Sequence, residues 1–549
     1  MLPMFTLNVK GEKKPFHQPV RLHSLIDDPE HRYFIALVNN RLRELHYLID
    51  YDADVEFLDN TNQEAVFVYE ASLRFLVSKA FFTCFPELSF KFNYSISRSI
   101  FCHIDGVEDT GRLRDITATL MKEMKRLVEA DVTIERRELD KKKAAAFYEE
   151  HLYHDKLDIL QYRPEDVVHF YACGDYMNYM YSLMAPSTGY LKDFDLKIYS
   201  PGFLIRYPRS EEHGRIPLFE DAPIYGRTLR NANRWSERID ANTLAKVNRH
   251  AAGASMVEFV HVNEAKHNQM IAEIGHLVLS DIENVRLIAI AGPSSSGKTT
   301  FSTRLRIELL TLGLKPIMIS LDDYYLNRED ILPNEEGVID LEHINTLDIA
   351  LFNQNMLDLI DGKAVDIPHF NFMTKARDGH RTIRITDNSP IIIEGIHALN
   401  DSLTELIPKH QKFKIFISPQ LQMNMDHHNP LSITDVRMLR RIVRDRKFRN
   451  SPATKTIGMW PSVRRGEFKW IYPHQEDADY IFNSALAYEL CVMKKYALDT
   501  LMEIPRDHEH FITANRLIKF LKHIVDIEDH IVPCNSLLRE FIGGSCFEV

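Results

Sequence analysis

Eight residues past the midpoint of the chain, Gly292-Pro-Ser-Ser-Ser-Gly-Lys298-Thr299, fill the pattern G-x-x-x-x-G-K-[ST]. The apolar run Leu287-Ile-Ala-Ile-Ala291 comes directly before them, and a helical pattern over 299–312 comes directly after. This context narrows the fold. Glycines let successive backbone N–H groups curl around an anion, the lysine adds charge, and the hydroxyl reaches a metal ion at the point where a buried strand turns into a helix. Gly292, Pro293, Ser294, Ser295, Ser296, Gly297, Lys298, Thr299 and Thr300 are therefore expected to hold the phosphates of ATP, with Mg²⁺ beside Thr299. Strands at 285–291, 316–321 and 390–393, with the helix between, alternate as a doubly wound parallel sheet does.

A chain of 549 residues exceeds what one apolar core organises, which predicts roughly three or four domains of mixed α/β and α+β class. With 45% apolar and 26% charged residues it has the composition of a globular protein, and no run approaches the ~20 apolar residues of a membrane span. A formal charge of −11 argues against a protein that coats nucleic acid nonspecifically. Cys84, Cys102, Cys173, Cys491, Cys534 and Cys546 form neither a metal spacing nor a disulfide framework, and the N-terminus lacks a secretory pattern. Reduced thiols and a cytoplasmic location are expected.

The front of the chain reads as a compact α/β unit, residues 1–62, with strands at 5–9, 33–38 and 55–57 and a helical turn at 22–25. Residues 63–235 read as an α+β unit opening on a helix at 65–85, with a strand at 91–96 and a charged helix at 110–128. Periodic signals are few between 210 and 262. Residues 236–283 read as a linker that includes a helix at 264–279, with Ile271, Ile274 and Val278 on one face. The catalytic unit is expected over 284–500, and a helical extension over 501–549.

Two further segments belong with the phosphate loop. Ser320-Leu-Asp322-Asp323-Tyr324-Tyr325 puts carboxylates at the carboxyl edge of the sheet, where such folds bind ligands, and Asp322 is the candidate base for an attacking hydroxyl. Glu394 follows four apolar positions in Pro390-Ile-Ile-Ile-Glu394-Gly395 and is the candidate on the metal side. Farther on, Arg437, Arg440, Arg441 and Arg444 recur at helical spacing, as an anion-clamping lid would require. His427-His428 and His508-Glu-His510 lack a further spaced ligand and read as ordinary histidines.

Together these motifs resemble the uridine kinase and phosphoribulokinase family over roughly residues 285–490. GPSSSGKT is similar to the family's phosphate loop, SLDDYY to its S-x-D-x-[FY]-Y segment, and RMLRRIVRD to its lid helix. The resemblance implies that Asp322 is the base and that Asp340 contacts an acceptor sugar. It also implies that Pro368-His-Phe370-Asn-Phe372-Met-Thr-Lys375-Ala-Arg377 is the nucleoside loop, with Tyr325 beside it. Phe370 stands where the family has tyrosine, and Lys375 where it has a base-contacting histidine. An ammonium there suits a different base or a phosphorylated sugar.

The front half resembles the amino-terminal part of threonyl-tRNA synthetase. Val38-Asn39-Asn40-Arg41-Leu42 and Asp54-Val55-Glu56-Phe57 match its ubiquitin-like TGS module, and Tyr69-Glu-Ala71-Ser72 and Ala185-Pro186-Ser187-Thr188-Gly189 match its editing-type (SAD) domain. The resemblance puts Ala71, Phe75, Met180 and Met184 at the family's metal-ligand positions. None of these offers zinc a donor of the kind it needs, which implies a retained fold with another use.

The leading expectation is an ATP- and Mg²⁺-dependent nucleoside kinase. Asp322 is its base, and Asp340, Tyr325, Phe370, Lys375 and Arg377 lie on the acceptor. Lys298, Arg440, Arg441 and Arg444 neutralise the transferring phosphoryl group. One alternative is a kinase of a sugar phosphate or another small hydroxylated acceptor. Another, of a different class, is an RNA- or ribosome-linked protein whose front half contacts RNA while the loop acts as a nucleotide switch. A homo-oligomer is compatible with each, and none involves a membrane.

Overall fold

The computed structural model describes residues 4–331, 340, 342–371, 374, 376–385 and 389–547. The chain forms two α/β units in its front half and a larger unit built on a parallel sheet behind them. Among the described residues, no helix is long and apolar enough to cross a membrane.

The first unit is a mixed five-stranded sheet in the order Glu12–Phe16, Phe5–Val9, Ala53–Asp59, Tyr33–Val38, Arg41–Glu44. Phe5, Leu7 and Val9 are buried while Thr6 and Asn8 are half-buried, the two-residue alternation of a sheet with one covered face. Lys10-Gly11 and Asn39-Asn40 join adjacent strands with positive φ at both positions, the backbone whose twist suits a two-residue hairpin.

The second unit begins at the helix Gln63–Cys84, whose N-terminus is capped by Asn62 accepting from the Glu64 amide at 2.9 Å. This helix and Thr110–Glu129 cover a four-stranded antiparallel sheet, and a three-stranded sheet, Glu135–Asp140, Val167–Cys173 and Tyr176–Tyr179, lies beside it. Ala71, Phe75, Met180 and Met184 converge in one apolar cluster with Ile134, Tyr171, Cys173 and Tyr176. Burial pushes the Cys173 thiol upward. No set of three or more metal-ligating side chains occurs among the described residues.

The back unit carries five parallel strands in the order Ile317–Ser320, Ile391–Glu394, Leu287–Ala291, Lys412–Ser418, Tyr480–Asn483. Leu287–Ala291 is central and buried at every position, as a parallel strand covered on both faces must be. The stretch read as a linker, 236–283, is instead two helices, Leu244–Ala252 and Met256–Ser280. Leu244, Val260, Ile274 and Val278 share one core with Ile288, Phe301 and Leu439 of the back unit, and with Leu517 and Leu538 of the expected extension. A third helix, Pro223–Arg238, also falls in the region of few signals. Its buried positions are Gly226, Leu229, Ala232 and Ser236, so few large apolar side chains mark it.

The front and back units are joined by a short hairpin, Asn424–Asp426 paired with Asn429–Pro430. Asp426 is fully buried there and accepts from Lys156 Nζ at 2.7 Å, the His428 amide at 2.9 Å and Asn429 Nδ2 at 2.8 Å. His428, read as an ordinary surface residue, is buried against the front half. Its Nδ1 lies 2.8 Å from Asn178 Nδ2, and its ring stacks on Phe90.

Candidate active site

The phosphate loop leaves the central strand at its carboxyl end and turns through Ser295 (φ 59°) and Gly297 (φ 90°) into the helix Lys298–Thr311. Both glycines are sterically required. A Cβ on Gly292 would stand 2.0 Å from the Ile417 carbonyl oxygen, and one on Gly297 2.3 Å from Leu537 Cδ2. Ser295 Oγ, Ser296 Oγ and Thr300 Oγ1 are buried without a hydrogen-bond partner among the described residues. Three orphaned hydroxyls beside a helix N-terminus are the donors that a phosphate oxygen would satisfy.

Lys298 Nζ donates to the carbonyl oxygens of Gly292 at 3.1 Å and Pro293 at 3.5 Å. Burial lowers its pKa, against the attraction of Glu394, Asp322 and Glu540. Across from it, the Ser320 hydroxyl donates to Glu394 Oε1 at 3.0 Å, and the Asp322 amide donates to Ser320 Oγ at 3.3 Å. Burial, and to a lesser degree Asp323, raises the Asp322 carboxyl, while Lys298 and then Arg449 and Arg444 pull it down. Burial, helped by the Asp322 charge, pushes Glu394 up to about 7.

That shift has a measurable sign. A carboxyl whose folded pKa lies above its unfolded value contributes stability below the unfolded value, and the contribution is lost as pH rises through the folded one. For Glu394 the window runs from 4.5 to about 7, so ionisation costs on the order of 3 kcal/mol. Glu394→Gln is therefore expected to raise the melting temperature of metal-free protein at pH 8 and to change it little at pH 5. An equal shift at both pH values would contradict the assignment.

Asp340 accepts from the Glu342 amide at 3.1 Å. Glu342 itself is raised by burial and held down by Arg441 and Lys298, which puts its carboxylate in the same site. Burial lowers His397 to about 4, so its imidazole is neutral at pH 7. It lies near Glu342 and Asp340, and its ring meets Trp470 edge-on at 6.0 Å. The sequence reading omitted both residues, although Glu342 stands two positions after Asp340 and His397 three after Glu394. The Tyr325 hydroxyl is raised chiefly by burial and then by Asp322 and Glu342, and its ring lies 5.5 Å from Phe370.

Arg377 is expected on the acceptor, but its side chain is committed elsewhere. It donates to the Tyr325 carbonyl at 3.0 Å, the Tyr324 carbonyl at 3.0 Å and Asp348 Oδ2 at 3.2 Å, pinning the turn that carries Asp322. Lys375 and Phe372 lie outside the described residues.

The arginine helix, Ile433–Arg449, departs from a simple exposed lid. Arg437 and Arg440 are fully buried. Arg440 pairs with Glu489 at 2.6 Å and donates to the Ser484 carbonyl at 2.8 Å and the Ser295 carbonyl at 3.3 Å. Arg437 pairs with Glu467 and donates to the Ser294 carbonyl at 3.2 Å. Arg441 reaches Ser294 Oγ at 3.0 Å. These three side chains hold the loop from behind. Helical spacing aligned the residues correctly but did not reveal that Glu467 and Glu489 wait on the facing helices. Arg444 pairs with Asp445 at 3.1 Å and, like Arg449, helps pull the Asp322 carboxyl down.

A strand-loop-helix anion cradle, with two carboxylates at the carboxyl edge of a parallel sheet, defines a P-loop phosphotransferase fold. Residues 287–489 match the phosphoribulokinase / uridine kinase family. Uridine kinase from Histophilus somni (strain 2336) is 31% identical over 198 residues, 36% of this chain and 85% of that protein. Uridine kinase from Ureaplasma parvum serovar 3 (strain ATCC 27815 / 27 / NCTC 11736) is 30% identical over 177 residues, 32% of this chain and 77% of that protein. Uridine kinase from Macrococcus caseolyticus is 31% identical over 197 residues, 36% of this chain and 86% of that protein. The chain belongs to the phosphoribulokinase / uridine kinase family through this region, and the front half lies outside the match.

Proposed function

We propose that the protein transfers the terminal phosphoryl group of ATP to a hydroxyl of a nucleoside, with Asp322 as the base. The observation that carries this reading is the pairing of Asp322 with an anion cradle whose buried hydroxyls lack partners. The loop amides, Ser295, Ser296 and Lys298 would bind the nucleotide phosphates, and Thr299 and Glu394 would hold Mg²⁺, which neutralises phosphate charge when bound. Asp322 takes the hydroxyl proton as the acceptor oxygen bonds to the terminal phosphorus. The bond from that phosphorus to its bridging oxygen breaks, and ADP leaves with the electron pair. Asp340, Glu342 and Tyr325 orient the acceptor, and Arg444 faces the charge on the moving group. Neutral His397 adds a ring nitrogen that can hydrogen-bond to the acceptor without adding charge.

The experiment is phosphoryl transfer from ATP and Mg²⁺ to a panel of nucleosides and sugar phosphates, with Lys298→Ala as the blank. Consumption of a nucleoside by the unmodified protein alone is expected. Consumption of sugar phosphates alone would replace the nucleoside by that class, and no transfer to any acceptor would refute the reading.

We read the front half as a TGS-like module followed by an editing-type domain without its metal. Support comes from the convergence of Ala71, Phe75, Met180 and Met184, distant in sequence, into one apolar cluster. Zinc added to the protein is therefore expected to leave deacylation of aminoacyl-tRNA at background, and zinc-stimulated release of the amino acid would contradict this reading.

A further inference from the structure

Close to the chain's end, residues 533–544 fold back onto the phosphate loop. Leu537 lies directly over Gly297, and Glu540 Oε2 accepts from the Thr300 amide at 3.1 Å. Thr300 is in the first turn of the helix that starts at Lys298, so its N–H is one of the free donors at the helix N-terminus. These donors, with the positive end of the helix dipole, are what a phosphate oxygen would use. A carboxylate offers the same acceptor and the same sign of charge. Its influence extends into the site, since Glu540 acts electrostatically on both Lys298 and Glu394.

The segment that carries Glu540 is firmly held. Ser536 Oγ donates to Glu264 Oε1 at 2.5 Å, and Arg539 donates to the Asp529 carbonyl at 2.7 Å and the Val532 carbonyl at 2.6 Å. Arg539 is thus spent within its own segment. Phe541 lies 5.1 Å under the Arg440 guanidinium. Leu537, Leu538, Phe541 and Ile542 are each no more than 2% exposed.

We propose that Glu540 is a built-in competitor for a nucleotide phosphate, and that nucleotide enters when this one carboxylate turns away while the segment stays docked. The proposal rests on reading the loop as a nucleotide site. Burial of four large apolar side chains decides between release of the whole segment and rotation of one side chain. Peeling them from the core would return four buried side chains to water, whereas turning Glu540 away gives up one charge-assisted hydrogen bond.

The test is affinity for ADP, inorganic tripolyphosphate and adenosine, measured calorimetrically on the full chain and on Glu540→Gln and Glu540→Ala, with thermal melting to verify folding. ADP and tripolyphosphate are expected to bind both variants roughly tenfold tighter than the unmodified protein, with adenosine unchanged. Should Gln fail to fold, Glu540→Asp keeps the charge but shortens the reach, and it is expected to tighten binding too. Hydrogen exchange of residues 533–547 is expected to stay slow on adding ADP, and fast exchange would overturn the single-side-chain mechanism. Equal or weaker binding of ADP by folded variants would overturn the competitor while leaving the nucleotide site standing. Failure of ADP and tripolyphosphate to bind any form would remove the nucleotide reading and the competitor with it.

Discussion

Asp322→Asn is expected to lower turnover by about 10²–10⁴-fold while ATP affinity stays within a factor of about three. The substitution is nearly isosteric, so the Asp322 amide keeps its bond to Ser320 Oγ at 3.3 Å and the turn pinned by Arg377 is undisturbed. What disappears is the basic carboxylate that takes the hydroxyl proton, since an amide oxygen accepts a hydrogen bond but is too weak a base to remove it. On the proposed reading ATP is held by the loop amides and Lys298, and loss of a neighbouring negative charge removes only repulsion toward phosphate. Steady-state kinetics on the acceptor identified by the panel, with nucleotide affinity measured separately, separates the two effects. Turnover within tenfold of the unmodified protein would move the base to Glu342 or Glu394, whose carboxyls share the same charge environment.

Lys156→Met is expected to destabilise the protein by about 3–5 kcal/mol, read as a lower urea midpoint at unchanged slope. Lys156 and Asp426 are 1% and 0% exposed as side chains, 2.7 Å apart, and belong to different halves of the chain. Attraction to Lys156 counteracts burial and holds Asp426 below the ordinary carboxylate range. Without the ammonium, Asp426 keeps only its amide donors, and a buried carboxylate so placed is either an uncompensated charge or is protonated at a cost. Lys156→Met combined with Asp426→Leu is expected to recover most of the loss, because an apolar pair of similar volume carries no desolvation penalty. A single variant within 1 kcal/mol of the unmodified protein would mean that the two halves are not fastened here.

The parallel sheet and its loop were legible in the sequence for a physical reason. Leu287–Ala291 is buried on both faces and so reads as a continuous apolar run, and Gly292 and Gly297 occupy positions where a Cβ would collide. Asp322 and Glu394 were legible as candidates because one lies in the turn just past a strand and the other at a strand's last position, where the apolar run stops. The arginine helix was legible as a helix but not in its use, since the partners of Arg437 and Arg440, Glu467 and Glu489, lie 30 and 49 residues away. No local pattern announces such pairs. The same holds for the contact of Glu540 with Thr300, separated by 240 residues, and the helix Pro223–Arg238 is hard to see because its buried positions besides Leu229 are small residues. Ala71, Phe75, Met180 and Met184 could be grouped only by resemblance, because four unlike residues carry no spacing rule of their own.

The joining hairpin runs, within three residues of its last position, into the helix that holds the phosphate loop. A descendant gene that lost its first 235 codons would therefore do more than discard an appendage. It would strip Lys156 and Asn178 from Asp426 and His428, just upstream of Arg437, Arg440 and Arg441. The front half is fastened to the helix behind the phosphate loop through these contacts, whether or not that half ever meets a ligand. Its persistence across a lineage would then measure structural debt as much as use.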